Sequence, residues 1–108
     1  MDVGPQLIAL ADPTRRTIYD LIRQESSSVR ELTDRLPISQ PAVSQHLRIL
    51  SSARLVAATP QGTRRIYSPH PEGVALLRTW IDTLWDDVLD SFEQQASFEQ
   101  QAVKEPKQ

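Results

Sequence analysis

The feature that most constrains the fold is a pair of short helices, each with its own start signal, that follow one another directly in SSVRELTDRLPISQPAVSQHLRILSS. Ser28 and Glu31 have the spacing of a capping box, in which each side chain bonds the other residue's backbone N–H. Pro37 ends the first helix, and Ser39 is the N-cap of the second. Two capped helices joined by so short a turn predict a helix-turn-helix.

Regular elements flank this motif on both sides. Residues 5–11 predict a short apolar helix, and Asp12-Pro13 supplies the N-cap and the first-turn proline of a second helix. After the motif, LVAAT and TRRIYS predict the two strands of a hairpin whose turn lies at Pro60-Gln61-Gly62. From Glu72 onward, apolar residues recur every three or four positions, which indicates a long amphipathic helix.

These elements predict a mainly α fold with a two-stranded β-hairpin wing, that is, a winged helix-turn-helix in the order α-α-α-α-β-β-α. A chain of 108 residues holds one modest core, so we assign residues 1–102 to a single domain. Within it we place the helix-turn-helix at 28–52, the wing at 55–68 and the C-terminal helix at 72–102. Residues 103–108 predict a disordered tail.

Charge is divided unevenly along the chain, although the formal net charge is only -2. Residues 1–71 carry nine arginines and six acidic residues, whereas residues 72–108 carry three basic and eight acidic residues. From Arg35 to Pro71 there is no acidic residue, and there are five arginines. A surface built from this window meets a polyanion without repulsion, and the pattern therefore favours nucleic acid as the partner.

The helix after Ser39 has a polar face suited to reading bases. Val43, Leu47 and Leu50 have the spacing of a buried stripe, which leaves the polar side chains on the opposite face. The candidate DNA contacts there are Ser39, Gln40, Pro41, Ser44, Gln45, His46 and Arg48. Glutamine pairs with adenine, arginine with guanine or phosphate, and proline packs on a thymine methyl group. We predict that this helix enters the major groove of double-stranded DNA; His46, between this face and the core, either bonds a phosphate or serves the structure alone.

The hairpin carries a second set of candidate DNA contacts. Thr63, Arg64 and Arg65 follow the predicted turn, at the tip of the wing. Arginines there can neutralise phosphates or enter the minor groove. The alternative is that their charge only protects an edge strand from aggregation.

The segments ADPTR, SQPAVSQHL and ARLV, in this order and spacing within residues 5–70, resemble the arsenic-repressor (ArsR/SmtB) family of bacterial winged-helix repressors. The resemblance implies a homodimer that pairs through its first and last helices and represses transcription. It also implies base contacts by the second helix of the motif, which fall on Gln40, Pro41, Ser44 and Gln45.

The last helix contains both tryptophans and both phenylalanines, more apolar surface than a short chain can bury alone. We therefore expect a homodimer, in which the resemblance adds the first helix to the interface. The expected interface residues are Leu7, Leu10, Leu77, Trp80, Ile81, Leu84, Trp85 and Val88. Two-fold pairing would set two recognition helices about 34–36 Å apart and would require an inverted-repeat operator.

The metal-ligand motifs of the family are missing. The chain has no cysteine, and Ser28 and Arg30 occupy the positions of the Cys-x-Cys motif that the resemblance points to. No histidine lies between Val74 and Gln108, and two histidines in the whole chain cannot form a usual zinc site within one protomer. We expect no metal site, no cofactor, and either no effector or one foreign to the family. An unconventional metal or small-molecule sensor site remains an alternative.

Other classes of function have less support. Three glycines form no phosphate-binding loop, and no serine or histidine stands in a nucleophile constellation, so we predict that the protein is not an enzyme. A winged-helix module that binds another protein remains an alternative, against which the acid-free window argues. No apolar stretch approaches the roughly 20 residues of a membrane span, and no signal peptide precedes the first helix, which predicts a cytoplasmic protein without membrane contact.

Overall fold

A computed structural model of the chain describes residues 2–103, and the side chains of residues 2–95. It contains helices α1 (Gly4–Ala11), α2 (Pro13–Gln24), α3 (Val29–Asp34), α4 (Gln40–Ser52) and α5 (Pro71–Val103), and strands β1 (Ser27–Ser28), β2 (Val56–Gln61) and β3 (Arg64–Pro69). The mainly α winged helix-turn-helix fold is thus confirmed. One compact unit ends at Leu77, and the second, from Arg78 onward, is the continuation of α5. No helix within residues 2–103 is long and apolar enough to cross a membrane.

The predicted N-caps of three helices are confirmed. The Asp12 carboxylate accepts from the backbone N–H of Arg15 at 2.9 Å and starts α2. The Ser28 hydroxyl accepts from the Glu31 N–H at 3.2 Å, and the Glu31 carboxylate accepts from the Ser28 N–H at 2.8 Å, which completes the capping box of α3. The Ser39 hydroxyl accepts from the N–H of Ala42 at 3.3 Å and starts α4.

The sheet has three strands instead of the predicted two. Ser27 and Ser28 pair with Tyr67 and Ile66, so the strand order is β1-β3-β2 and the chain order is α-α-β-α-α-β-β-α. The N-cap residue Ser28 has extended backbone angles, φ -84° and ψ 168°, and this conformation also suits a strand. Two residues are too few to show an alternating pattern, which is why the sequence did not indicate β1.

The hairpin turn begins two residues later than predicted, although Gly62 belongs to it as expected. Pro60 and Gln61 belong to β2 and pair with Arg65 and Arg64, and the turn consists of Gly62 and Thr63. Gly62 has φ +66°, the conformation that a two-residue turn of this kind requires at its first position. Pro60 is tolerated in the strand because β2 lies at the edge of the sheet.

One core holds the first unit together. The apolar stripe predicted for α4 is buried, and it packs with side chains of α2, α3 and β2. The largest fully buried side chains are Ile18, Ile22, Leu32, Val43, Leu47, Leu50, Leu55 and Val56. This packing fixes the rotation of α4 about its axis, and therefore fixes which of its side chains face outward.

The first turns of α1 and α5 both form hydrogen bonds to the loop that follows α4. Arg54 has φ +61°, which ends α4 and turns its carbonyl toward α5. The N–H of Gly73 donates to that carbonyl at 2.9 Å, and the side-chain amide of Gln6 donates to the carbonyl of Ala53 at 2.7 Å. Gly73 is required here because a Cβ atom would lie only 2.6 Å from the Arg54 oxygen.

The long C-terminal helix begins one residue earlier than predicted and continues through Val103. Val103 therefore belongs to α5 and not to the tail predicted for residues 103–108. The remaining tail residues, 104–108, lie outside the described part of the chain.

Candidate nucleic-acid interface

Five of the predicted base-reading residues, Gln40, Pro41, Ser44, Gln45 and Arg48, share one side of α4, whereas Ser39 is its N-cap and His46 lies toward α2. Ser39, Gln40, Pro41, Gln45 and Arg48 are exposed, and Ser44 and His46 are half-buried. The opposite side of the helix is the buried stripe that begins at Val43. Residues three and four apart lie above one another on a helix, so the exposed side chains form a continuous polar strip about two turns long.

Arg48 and Gln45 are linked within this strip. An Nη1 atom of Arg48 donates to Oε1 of Gln45 at 2.6 Å. A guanidinium only donates, so the bond identifies the amide oxygen of Gln45 and leaves its NH₂ group free to donate outward. The oxygen keeps a second lone pair, and Gln45 therefore still has both groups that a bidentate contact to adenine needs.

His46 joins α4 to the start of α2. An Nη1 atom of Arg15 lies 3.1 Å from Nδ1 of His46, and Nε of Arg15 donates to the carbonyl of Ala9 at 2.8 Å. Since the guanidinium only donates, Nδ1 accepts and Nε2 carries the ring proton. His46 therefore has a structural partner on one side and a free N–H donor on the other, and its contact with DNA stays a prediction.

The wing arginines lie near the tip of the hairpin, and Thr63 forms part of the turn itself. All three predicted wing residues are exposed. An Nη2 atom of Arg64 is 3.7 Å from Oε2 of Glu31, with both side chains more than half exposed. Exposed pairs of this kind contribute little stability, so Arg64 is readily released to a phosphate.

The acidic partner of the wing was not visible in the linear charge pattern. Glu31 precedes the acid-free window in sequence, yet the fold brings its carboxylate to Arg64. The backbone N–H of Ser28, helped by the Ser28 hydroxyl and by the charge of Arg64, lowers the pKa of Glu31. Glu31 is therefore ionised at neutral pH, and its charge attracts Arg64 of the wing.

The predicted dimer residues divide into two groups. Leu10 and Leu77 are partly buried and pack against the core of the first unit. Leu7 in α1 and several α5 residues remain exposed, with Trp85 at 60% exposure and Ile81 at 52%. Trp80 is half-buried, and the remaining exposed positions are Leu84 and Val88. Apolar surface of this extent on a monomer is typical of an interface.

Three further apolar side chains outside the predicted interface are exposed, of which Leu89 and Phe92 belong to the apolar pattern expected for the last helix and Ile8 was not anticipated. Ile8 in α1 and Phe92 in α5 are both 67% exposed, and Leu89 is 39% exposed. Ile8 follows Leu7 directly, and Leu89 and Phe92 extend the strip of apolar positions along α5. These side chains add to the surface that a second copy of the chain would cover.

Ser28, which occupies the first position of the family's metal-ligand motif, caps a helix in this chain. Both the hydroxyl and the N–H of Ser28 are engaged in the capping box. Arg30, the second position, is exposed. Among the described residues, no three His, Cys, Asp or Glu side chains lie together so that they could hold a metal ion. The absence of a metal site stays a prediction.

Comparisons with known proteins agree on one family. Residues 12–58 match the profile described as bacterial regulatory protein, arsR family. HTH-type transcriptional regulator Rv2034 of Mycobacterium tuberculosis is 49% identical over 86 residues, which is 80% of either chain. HTH-type transcriptional repressor SmtB of the same species is 42% identical over 64 residues, 59% of this chain and 47% of that protein.

A solved structure agrees with the fold. The homodimeric winged helix-turn-helix DNA-binding domain of Mb0332 from Mycobacterium bovis superposes with a TM-score of 0.64. The two sequences are 30% identical, and the match covers 79% of each chain.

Proposed function

The chain belongs to the ArsR family of bacterial regulatory proteins and is a DNA-binding transcriptional regulator rather than an enzyme, and we propose that it is a repressor that binds an inverted-repeat operator as a homodimer. The observation that carries the proposal is the exposed polar strip of α4. Its rotation is fixed by three buried side chains, Val43, Leu47 and Leu50. A rigid polar strip that follows a helix N-terminus is what entry into a major groove requires.

The strip supplies different contacts along its length. In the first turn of α4 the backbone N–H of Gln40 suits a phosphate. Pro41 has no N–H, and the N–H of Ala42 already donates to the Ser39 hydroxyl. Gln40 and Ser44 lie one turn apart and suit base edges, and Pro41 suits a thymine methyl group. Gln45, oriented by Arg48, offers a donor and an acceptor to adenine. In this arrangement the helix specifies the sequence, while its ends hold the phosphate backbone.

The wing extends the contact to the flanking DNA. Arg64 and Arg65 occupy the first positions of β3, next to the turn. Exchange of the Glu31 carboxylate for a DNA phosphate keeps Arg64 paired in both states. The wing thus adds affinity that depends on salt and not on base sequence.

A homodimer accounts for the exposed apolar side chains of α1 and α5. The similar Mb0332 domain is homodimeric, which supports the same assembly here. Two-fold symmetry presents two α4 helices to two half-sites about 34–36 Å apart. A protein bound across a promoter in this way excludes RNA polymerase, and the similar SmtB protein is a repressor.

The repressor would act without the family's usual metal ligands. The chain has no cysteine, and Ser28 is occupied in a cap. Its place of action would be the cytoplasm, where a bacterial chromosome lies.

Selection of bound sequences from a random DNA pool tests the proposal. The expected result is an inverted repeat whose half-sites are separated by one helical turn, bound by two protein chains per duplex. Footprinting on the recovered sequence should then protect two adjacent major grooves. Recovery of sequences that share no common motif, or binding by one protein chain per duplex, would contradict a dimeric repressor with a defined operator.

A further inference from the structure

A cavity of about 570 Å³ lies between the recognition helix α4 and the sheet. Its polar lining comes from both sides and consists of Ser44, Arg48, Ser51, Arg65, Tyr67 and His70. None of the described residues that line it is acidic. Its volume falls within the range of roughly 300–1,000 Å³ that is usual for small-molecule sites.

The polar lining is rich in donors. Arg48 and Arg65 bring two permanent positive charges, one from the helix and one from β3. Nδ1 of His70 accepts from the backbone N–H of Glu72 at 3.1 Å, and the neutral ring therefore carries its proton on Nε2. Tyr67 and Ser51 add hydroxyl groups. Two guanidinium groups with neutral donors around them match the oxygens of a phosphate or carboxylate group.

The remaining wall of the cavity is apolar. It is formed by Val29 at the start of α3 and by Val56, Ala57 and Ala58 of β2. A backbone phosphate of DNA would leave this apolar wall uncovered, because the sugars and bases next to it remain part of the duplex. An organic molecule that carries an anionic group can cover the wall and reach the arginines together.

We propose that this cavity binds a small organic anion with a phosphate or carboxylate group, and that the bound anion competes with DNA. The inference rests on the proposed DNA-binding function, because Ser44 and Arg48 belong to the polar strip of α4 and Arg65 belongs to the wing. An occupant neutralises both arginines and fills the space between helix and wing. The cavity thereby gives this regulator an effector site that needs no metal.

The first test measures anion binding by the free protein, without DNA. Inorganic phosphate and phenyl phosphate are titrated at constant ionic strength while backbone amide chemical shifts are followed. The expected result is saturable shifts at Ser44, Ala57, Ala58 and Tyr67, with phenyl phosphate bound more tightly because it also covers the apolar wall. Shifts that do not saturate, or that spread over all arginines equally, would overturn the site.

Variants assign the binding to the cavity. Arg65→Gln should weaken the binding of phenyl phosphate by about tenfold, which corresponds to the loss of one hydrogen bond to a charged group. Arg23→Gln makes the same charge change in α2, where Arg23 pairs with Asp20, and should leave the affinity unchanged. Equal weakening by both substitutions would mean that only net charge matters, which overturns the site.

The second test asks whether the anion displaces DNA. At matched ionic strength, saturating phenyl phosphate should weaken operator binding by about tenfold or more compared with sodium chloride. Saturation of the cavity with no change in DNA affinity would overturn the competition. If the protein binds phenyl phosphate but binds no DNA, with or without phenyl phosphate present, the proposed function is contradicted instead. Failure of the competition and failure of the proposed function are therefore distinguishable.

Discussion

The guanidinium of Arg15 donates to Nδ1 of His46 across 3.1 Å, and this bond ties the recognition helix to the first turn of α2. The same guanidinium donates to the carbonyl of Ala9 in the last turn of α1. Three helices therefore meet at one side chain, and the position of α4 depends on residues outside the helix-turn-helix itself.

Replacement of Arg15 should destabilise the first unit. Arg15→Ala removes the donor to Ala9 and to His46, and we expect the free energy of unfolding to fall by about 1–3 kcal/mol. Arg16→Ala is the matched control, because Arg16 makes a single exposed bond to the carbonyl of Leu10. Urea denaturation measures the free energy of unfolding of both variants. Equal losses for the two variants would contradict a special role of Arg15.

Gly73 should tolerate no side chain. In Gly73→Ala the new Cβ lies 2.6 Å from the carbonyl oxygen of Arg54, so the first turn of α5 must shift, at a cost of about 1–3 kcal/mol. Thermal melting should show a lower midpoint. Gly4→Ala serves as control, since its Cβ would meet only the flexible Asp2 side chain, and it should change stability little. An unshifted melting point of Gly73→Ala would argue against the close approach.

The polar strip of α4 should determine sequence preference. Gln40→Ala combined with Ser44→Ala removes two of the proposed base contacts, each expected to contribute about 1–3 kcal/mol of discrimination, and should bring operator affinity close to that for unrelated DNA. Gel-shift titrations with operator DNA and with unrelated DNA give the ratio of the two affinities. Gln24→Ala, an exposed change at the end of α2, should leave the ratio intact. A double variant that still prefers the operator would move the reading residues elsewhere.

The wing should contribute affinity without specificity. Arg64→Ala combined with Arg65→Ala should weaken binding to every DNA and reduce the slope of log affinity against log salt by about 1.8, the value for two lost phosphate contacts. Arg23→Ala is the charge control. An unaltered slope in the wing variant would show that the two arginines do not reach phosphates.

The apolar strip of α5 should hold the dimer together. Trp85 is 60% exposed, and Trp85→Asp places a charge within the predicted interface, so light scattering should give the monomer mass. Trp85→Phe keeps an apolar ring there and should preserve the dimer. A dimeric mass for Trp85→Asp would place the interface on another surface.

Local signals made much of the fold predictable. The caps at Asp12, Ser28 and Ser39 were correct because each involves a bond to a residue three positions away, and such bonds depend on the local sequence alone. The buried stripe of α4 followed from helical spacing. The hairpin turn was placed too early because Pro60 usually ends a strand, and the sequence does not reveal that β2 is an edge strand.

The candidate site was predictable in composition but not in its connections. The outward side of α4 and the wing arginines follow from spacing and charge. The Arg64–Glu31 pair and the cavity between α4 and β3 bring together residues that are far apart in the chain. No periodicity links such residues, since their approach depends on how the helices pack.

By itself, the sequence determined the helices, their caps, the polar strip of α4 and the lack of cysteine ligands, because these depend on near neighbours or on composition. Only the tertiary structure decided that Ser27 and Ser28 form a third strand, that Arg15 holds His46, and that Arg48 and Arg65 face one cavity. The physical reason is packing: burial of one shared core fixes the rotation and distance of each element, and these determine which distant side chains meet.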